Sequence, residues 1–347
     1  MPESQRPRVA VGTLGGTITM TSPGKRPGTS PHETVGVTPS AGATDLLAAV
    51  PGLRDVAEVS GHTLQRVPGA SLRFQDLLEC LVWAREAVDD GAAGAVLVQG
   101  TDTLEESAYL LDLFWDRPQP LVLTGAMRNP EQVSADGPGN LLAAVTTAAS
   151  NAMRNAGVLV VMNDEVHAAV RVRKTDSTAL HAFTSPTGGP IGRVVEGTVV
   201  PAGRVDRVPP LPTPSTLGET RVALVECTLD DGGDLLRLAA DRYDGIVVAA
   251  FGAGHVSGQA AEVVSEAVSR VPVVVASRTG AGTTLSVTYG FTGSESDLLR
   301  RGAVLAGWLD PRKSRLLLWA LLALGRGPEG VRAEFARRGR TGACVPA

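Results

Sequence analysis

The residues that decide the fold are AVLVQGTDTLEE, positions 95–106. A short apolar and β-branched run ends at Gly100, and hydroxyl and carboxylate side chains follow before a segment of helical length begins. This order is typical of a strand that leads through a tight loop into a helix. The local sequence also accounts for its own polar residues. Asp102 or Thr103 can cap the helix, and Glu105 and Glu106 suit the positive end of its dipole.

Runs of strand length alternate with segments of helical length along most of the chain. The predicted strands of the first series are Val9–Leu14, Ala95–Gln99, Leu121–Thr124 and Val158–Met162, with a small hairpin over Gly192–Val200. The helices predicted among them are Ala43–Val50, Leu72–Asp89, Leu104–Trp115 and Asn140–Ala152. Because strands that alternate with helices form parallel sheets, the sequence predicts an α/β fold.

A proline-rich stretch, residues 201–214, interrupts this pattern, and a second series follows it. Its predicted strands are Val222–Cys227, Gly245–Phe251 and Val271–Ala276, and its predicted helices lie near Asp234–Asp241, Gln259–Ser269 and Pro311–Leu324. A proline-rich break between two periodic series is typical of a linker. We therefore predict a larger N-terminal α/β domain over 1–214, a linker at about 201–218, and a smaller C-terminal α/β domain over 215–347.

The composition limits the classes of function. The chain has 347 residues and a net charge of −4, and its basic residues are spread out, so nothing indicates a nucleic acid or an anionic membrane as partner. The three cysteines lie far apart and the five histidines are scattered, which gives neither a disulfide framework nor a zinc pattern. With no signal peptide or transmembrane run apparent, we expect a cytoplasmic protein that acts on a small molecule without a metal or other cofactor.

Three loops carry side chains that suit acyl transfer. Thr17 follows Gly15-Gly16, Thr101 and Asp102 follow Gly100, and Lys174 lies in the basic segment VRVRKTD, residues 170–176. A lysine beside a hydroxyl lowers the effective pKa of that hydroxyl and prepares it for attack or proton relay. Simpler interpretations remain open, because the threonines can be helix caps and a basic cluster is usually a solvated loop.

Together these segments resemble the bacterial-type L-asparaginases and asparaginase/glutaminases. The segments that carry the resemblance are GGTI at 15–18, GTDTLEE at 100–106 and KT at 174–175, with GAMR at 125–128, SADGP at 134–138 and YDGIV at 243–247 in agreement. The resemblance spans almost the whole chain. It implies two α/β domains, a small-molecule amide substrate, and hydrolysis of the side-chain amide of asparagine by a threonine nucleophile.

The resemblance also assigns roles to individual residues. It makes Thr17 the nucleophile, Thr101 and Lys174 the second threonine and its lysine, and Asp102 the ligand of the substrate α-amino group. Further substrate contacts are implied at Gly100 and Ala126. The turn that holds the substrate α-carboxylate is Gly69-Ala70-Ser71, in which the family's serine aligns with Ala70 or, with a shift of one residue, Ser71.

The chain departs from the family at two places. The family carries a tyrosine on the mobile loop after the first threonine, whereas this chain has Glu33 or His32 near that position. Either can accept a proton, although an exposed loop charge explains Glu33 equally well. In the C-terminal half, His255 lies where the family has asparagines, and Glu295 aligns with the acidic group donated across the subunit interface of a homotetramer.

Other function classes have less support. The glycines at 252, 254 and 258 have the wrong spacing for a dinucleotide fingerprint, and no Gly-x-Ser-x-Gly elbow is present. Two alternatives remain: a binding or regulatory homologue that lost activity together with the tyrosine, and an enzyme for a different amide. The retained Thr17, Thr101, Asp102 and Lys174 favour an enzyme, because a binding protein has no need of a lysine–threonine pair.

Overall fold

The structure is a computed structural model, and it describes residues 6–16, 18, 42–214 and 218–340, together with the backbone of 20–21 and 38–39. The described chain divides into two compact units. The first extends to Ser185 and includes Gly189–Val205, and the second begins at Asp206 and includes Pro186–Gly188. The division after Val205 falls within the proline-rich stretch.

The first unit contains twelve strands and five α-helices among the described residues. The strands are β1 (Arg8–Thr13), β2 (Met20–Thr21), β3 (Thr38–Pro39), β4 (Glu58–Thr63), β5 (Gly94–Val98), β6 (Leu121–Thr124), β7 (Val158–Met162), β8 (Glu165–Ala168), β9 (Arg173–Lys174), β10 (Phe183–Thr184), β11 (Gly192–Val195) and β12 (Thr198–Pro201). The helices are α1 (Ala43–Ala48), α2 (Leu53–Val56), α3 (Phe74–Asp89), α4 (Leu104–Phe114) and α5 (Gly137–Ala149).

Eight of these strands form one mixed sheet in the order β12-β11-β8-β7-β6-β5-β1-β4. β7, β6, β5, β1 and β4 are parallel to one another. Ala95 of β5 lies opposite Leu121 of β6, and Val9 of β1 lies opposite Gly94 of β5. β8, β11 and β12 extend the sheet antiparallel, and β11 and β12 form the predicted hairpin. The parallel arrangement places the ends of β1, β4, β5 and β6 along one edge, where the loops that follow them meet.

The core of this unit lies on both faces of the parallel strands, which are buried on each side. α5 covers one face with Leu141, Val145 and Ala148, which belong to the same apolar cluster as Val96 and Val122 of the sheet. α4 is apolar on most of its surface and buries nine of its eleven residues. Burial of each large apolar side chain contributes about 1.5–3 kcal/mol, so these helices hold the strand ends firmly in place.

The second unit is a four-stranded parallel sheet in the order β13-β14-β15-β16. Its strands are β13 (Val222–Glu226), β14 (Gly245–Ala250), β15 (Val273–Ser277) and β16 (Val304–Leu305), and its helices are α6 (Asp234–Ala240), α7 (Gly258–Val268), α8 (Glu295–Arg300), α9 (Pro311–Ala323) and α10 (Pro328–Arg338). Two units with α/β sheets, a larger one before a smaller one, confirm the predicted fold class. Searched over the described residues, the chain has no helix long and apolar enough to cross a membrane.

Candidate active site

Three loops at the carboxyl edge of the first sheet meet main chain to main chain. Gly16 follows β1 and has a positive φ of 94°. A Cβ atom on Gly16 would lie 2.2 Å from the backbone nitrogen of Gly100, and one on Gly69 would lie 2.8 Å from the carbonyl oxygen of Gly100. Contacts this short leave no room for a side chain. The glycines therefore bring the loop after β1, the turn at Gly69 and the loop after β5 into direct contact.

Thr101 and Lys174, which are 73 residues apart, come together beside these loops. Lys174 Nζ donates a hydrogen bond to Thr101 Oγ1 at 3.0 Å, and Thr101 is buried, with 6% of its surface exposed. The same Nζ lies 3.8 Å from Asp102 Oδ1, whose side chain is largely exposed. An ammonium group at this distance stabilises the oxyanion form of the threonine hydroxyl, as a proton relay requires.

Glu105 is a residue of this site that the sequence interpretation treated only as a partner of the helix dipole. It lies in the first turn of α4 and is 3% exposed, and its Oε2 accepts a hydrogen bond from the backbone nitrogen of Lys174. The hint in the sequence was proximity, because Glu105 lies only four positions after Thr101, at the start of the predicted helix.

The loop after β6 forms a wall against Thr101. A Cβ atom on Gly125 would lie 3.3 Å from Thr101 Cγ2 and 2.5 Å from the carbonyl oxygen of Gln99. The next residue, Ala126, is fully buried. Asn140 Nδ2 donates to the carbonyl oxygen of Gly125 at 3.0 Å, so the buried first turns of α5 hold this wall in place.

Asp136 completes the anchoring of that loop. Its carboxylate accepts hydrogen bonds from the backbone nitrogens of Met127 and Arg128, each at 2.9 Å, and from Asn140 Nδ2 at 2.9 Å. Asn140 in turn accepts a hydrogen bond from the backbone nitrogen of Asn163, in the loop after β7, at 2.9 Å. Neither side chain was predicted as a site residue, although Asp136 lies in the SADGP segment that matches the family.

The predicted carboxylate turn lies next to Thr103. Gly69–Ser71 forms one turn of 3₁₀-helix, in which Gly69 is buried whereas Ala70 and Ser71 are exposed. Thr103 Oγ1 donates a hydrogen bond to the carbonyl oxygen of Gly69 at 2.9 Å, which joins this turn to the start of α4. Ala70 and Ser71 are thus exposed to solvent, whereas the hydrogen bond from Thr103 fixes Gly69.

Glu295 lies in the second unit, at the start of α8, and is fully buried. Its carboxylate accepts hydrogen bonds from the backbone nitrogens of Thr288 at 2.9 Å and Tyr289 at 2.7 Å, and His255 Nε2 lies 3.1 Å away. Burial opposes ionisation, but these hydrogen bonds outweigh it and hold the pKa of Glu295 below its ordinary value. His255 also packs edge-on against Tyr289 and Phe291, with ring centres 4.9 Å and 5.1 Å away.

Thr17, His32 and Glu33 lie outside the described residues. The structure does describe both neighbours of Thr17. Gly16 contacts Gly100, and Ile18 is buried at a position where a Cβ atom on Gly137 would lie 2.6 Å from Ile18 Cγ1. The roles of Thr17 and Glu33 remain predictions from the sequence.

Two family models match this chain. The model for the asparaginase N-terminal domain matches residues 8–205, and that for the glutaminase/asparaginase C-terminal domain matches residues 221–335. Among curated proteins, the chain is 37% identical over 339 residues to a probable L-asparaginase of Deinococcus radiodurans, covering 96% of this chain and 98% of that one. It is 34% identical over 337 residues to L-asparaginase 2 of Escherichia coli, covering 95% and 92%.

A solved structure is similar over the same extent. The probable cytoplasmic L-asparaginase of Campylobacter jejuni superposes with a TM-score of 0.83 at 30% identity, covering 95% of this chain and 99% of that one. The loops that meet at Gly100 and the Thr101–Lys174 contact lie within residues 8–205, which the N-terminal family model matches. On these grounds the chain belongs to the asparaginase family.

Proposed function

We propose that this protein hydrolyses the side-chain amide of L-asparagine to L-aspartate and ammonia. The observation that carries the proposal is the hydrogen bond of 3.0 Å between Lys174 Nζ and the buried Thr101 hydroxyl. Membership of the asparaginase family supports it, as do the names of the relatives above. A binding protein gains nothing from a lysine paired with a threonine at the end of a buried strand.

The reaction proceeds by acyl transfer in two steps. Thr17 Oγ attacks the amide carbonyl and loses its proton, and the C–N bond breaks as the leaving nitrogen takes up a proton to depart as ammonia. Water then cleaves the aspartyl ester, which returns the proton to Thr17 and releases aspartate. Thr101, with its hydroxyl polarised by Lys174, activates the attacking water or relays the proton. Backbone N–H groups near Gly100 stabilise the oxyanion.

The experiment that tests the function is ammonia release by the purified protein from a panel of amides. We expect L-asparagine to be hydrolysed faster than L-glutamine and simple amides. A faster reaction with another amide would support the enzyme but change its substrate. Ammonia release from none of them, together with saturable binding of asparagine, would contradict the proposal and favour the binding homologue.

We propose that Asp102 binds the substrate α-amino group and that the Gly69–Ser71 turn binds its α-carboxylate. Asp102 is exposed next to Thr101, as a residue that meets a soluble ligand must be. Amides without an α-amino group are therefore expected to be poor substrates, with kcat/KM lower by about 10- to 100-fold, because a charge-assisted hydrogen bond contributes about 1.5–3 kcal/mol. In Asp102→Asn, the difference in kcat/KM between asparagine and amides without an α-amino group should be smaller. Desamino analogues hydrolysed as fast as asparagine would show that Asp102 has another role.

We propose that Glu33 accepts the proton of Thr17 in place of the tyrosine that the family carries. Glu33→Gln is then expected to lower kcat by about 100-fold with little change in KM, because a general base acts mainly in the transition state. The matched control is His32→Ala. The wild-type pH–rate profile distinguishes the two residues. An acid limb at about pH 4 indicates a carboxylate, and one at about pH 6.5 indicates histidine. Unchanged kcat in Glu33→Gln would remove Glu33 from the mechanism.

We propose further that the protein is a cytoplasmic homotetramer, a dimer of dimers, in which Glu295 serves the site of a neighbouring subunit. Multi-angle light scattering of the active protein measures that assembly. A fully active monomer would contradict it.

A further inference from the structure

Lys174 is held at two points by residues from one short segment. Its Nζ donates to Thr101 Oγ1 at 3.0 Å, and its backbone nitrogen donates to the carboxylate of Glu105. Thr101 and Glu105 lie just before and just after the start of α4 at Leu104, which is itself fully buried. The backbone nitrogen and the Nζ atom of Lys174 are therefore both bound by residues at the start of the same helix, α4.

The ribbon that carries Lys174 is tied to the first sheet next to its two ends, because Val172 N donates to the carbonyl oxygen of Ala168 at 3.1 Å and Ser185 Oγ lies 3.0 Å from His167 Nδ1. β9 is two residues long and pairs with β10 in a separate two-stranded sheet, outside the eight-stranded one. Asp176 closes the turn between them by accepting hydrogen bonds from the backbone nitrogens of Thr178 and Ala179, at 2.7 Å and 2.8 Å. The contacts of Asp176 shape the ribbon without fixing its position relative to Thr101.

Apolar packing alone does not fix the position of the ribbon along α4. Val172 and Phe183 are buried, but burial of apolar surface is non-directional and tolerates a sliding movement. A hydrogen bond requires a narrow range of distance and angle. The bond from the Lys174 backbone to Glu105 is a directional contact between β9 and α4, and it helps to set where β9 lies along that helix.

A favourable interaction with the dipole of α4 does not explain why the side chain of Glu105 is buried. An exposed carboxylate in the first turn gives the same dipole interaction, whereas a buried carboxylate is unfavourable unless donors satisfy it. Glu105 is 3% exposed and faces a backbone N–H from a segment 69 residues further along the chain. The contact with the Lys174 backbone therefore contributes to satisfying this buried carboxylate.

We propose that Glu105 is a positioning residue, which sets the main chain of β9 so that the Lys174 ammonium group reaches the Thr101 hydroxyl. This inference rests on the proposed function. A displacement of reacting groups by about 1 Å lowers a rate by about 100-fold, so loss of the backbone contact acts on kcat although Glu105 touches no substrate.

The test uses three substitutions that separate the acceptor from the charge. Glu105→Gln keeps an acceptor oxygen without the charge, Glu105→Asp keeps the charge but withdraws the oxygen by one methylene, and Glu105→Met fills the space with neither. We expect Glu105→Gln to retain kcat within about threefold. In Glu105→Asp and Glu105→Met we expect kcat to fall by about 10- to 100-fold with little change in KM. The matched control is Glu79→Gln, which removes an exposed charge from α3.

A second measurement does not depend on turnover. The chain has three lysines, Lys25, Lys174 and Lys313, so the acetylation rate of each by an N-hydroxysuccinimide ester can be followed by peptide mass spectrometry. Acetylation of Lys174 is expected to be faster in Glu105→Asp and Glu105→Met than in the wild type and unchanged in Glu105→Gln, with the buried Lys313 as reference.

The outcomes separate the inference from the function. Wild-type kcat in Glu105→Asp and Glu105→Met, or a Glu105→Gln variant as slow as Glu105→Met, would overturn the positioning role. Glu105 variants with a lower Tm but an unchanged kcat would also overturn the positioning role, because they would show that Glu105 only stabilises the fold. If the wild type releases ammonia from no amide, the proposed function fails, while the acetylation rates still decide whether Glu105 positions Lys174. If the Glu105→Met variant does not fold, the Glu105→Asp variant tests the same expectation.

Discussion

Thr17→Ala is expected to lower kcat for asparagine hydrolysis by about 10⁴-fold or more, because without the hydroxyl no acyl-enzyme forms and only binding and oxyanion stabilisation remain. The measurement is steady-state ammonia release, combined with Kd for asparagine by calorimetry. Binding should persist, since the proposed contacts with the α-amino and α-carboxylate groups are intact. The matched control is Thr19→Ala, which removes a hydroxyl two residues further on.

The trapped intermediate gives an independent view of the same prediction. When the wild type is quenched in acid during turnover, the mass of the peptide containing Thr17 should increase by that of an aspartyl group, and Thr17→Ala should show no such adduct. Near-normal ammonia release by Thr17→Ala, or an adduct on Thr101 instead, would assign the nucleophile to another residue.

Lys174→Met is expected to lower kcat by about 10²- to 10⁴-fold, the range typical of losing a general acid–base group. Methionine fills a similar space without the ammonium group, so Thr101 loses the donor that lies 3.0 Å from its hydroxyl. Lys174→Arg is the informative companion. It keeps the charge but replaces a compact ammonium by a planar guanidinium, and we expect it to restore little activity.

Stability is the control for that prediction. The Lys174 side chain is mostly buried, with 19% exposed, but methionine fills a similar volume, so the substitution should change Tm little. A large decrease in Tm that accounts for the lost activity would make the lysine structural. Activity of Lys174→Met within about tenfold of the wild type would exclude Lys174 from proton transfer.

The central strands of the fold could be predicted from the sequence because burial on both faces leaves an unbroken apolar run. β6 and β7 have the predicted bounds, and β5 differs by one residue at each end. The edge strand β4, whose sequence is EVSGHT, was not predicted, because most of its residues are exposed and no period in its apolar residues marks it. β8 and β16 were missed for a related reason, since runs of four and two residues are too short to show a pattern.

The candidate site was predictable only through the family resemblance. Spacing alone cannot bring Lys174 to Thr101, because the contact depends on where the β9–β10 ribbon packs. The contact of Glu105 with Lys174 was not predicted, because the position of Glu105 in the first turn of a helix already had a sufficient local explanation. Asp136 and Asn140 were missed for the converse reason. Apart from the hydrogen bond between the two, their partners are backbone groups, which the identities of side chains do not reveal.

The contact between Gly16 and Gly100 also limits how this protein can change. A side chain at either position would press against main chain, so a neighbouring rotamer cannot shift to make room, and a second substitution cannot compensate for the first. A library made to alter the amide specificity will therefore lose most variants at these two positions. The accessible sequence space lies at Ala70, Ser71 and Asp102, whose side chains are exposed beside the same loops.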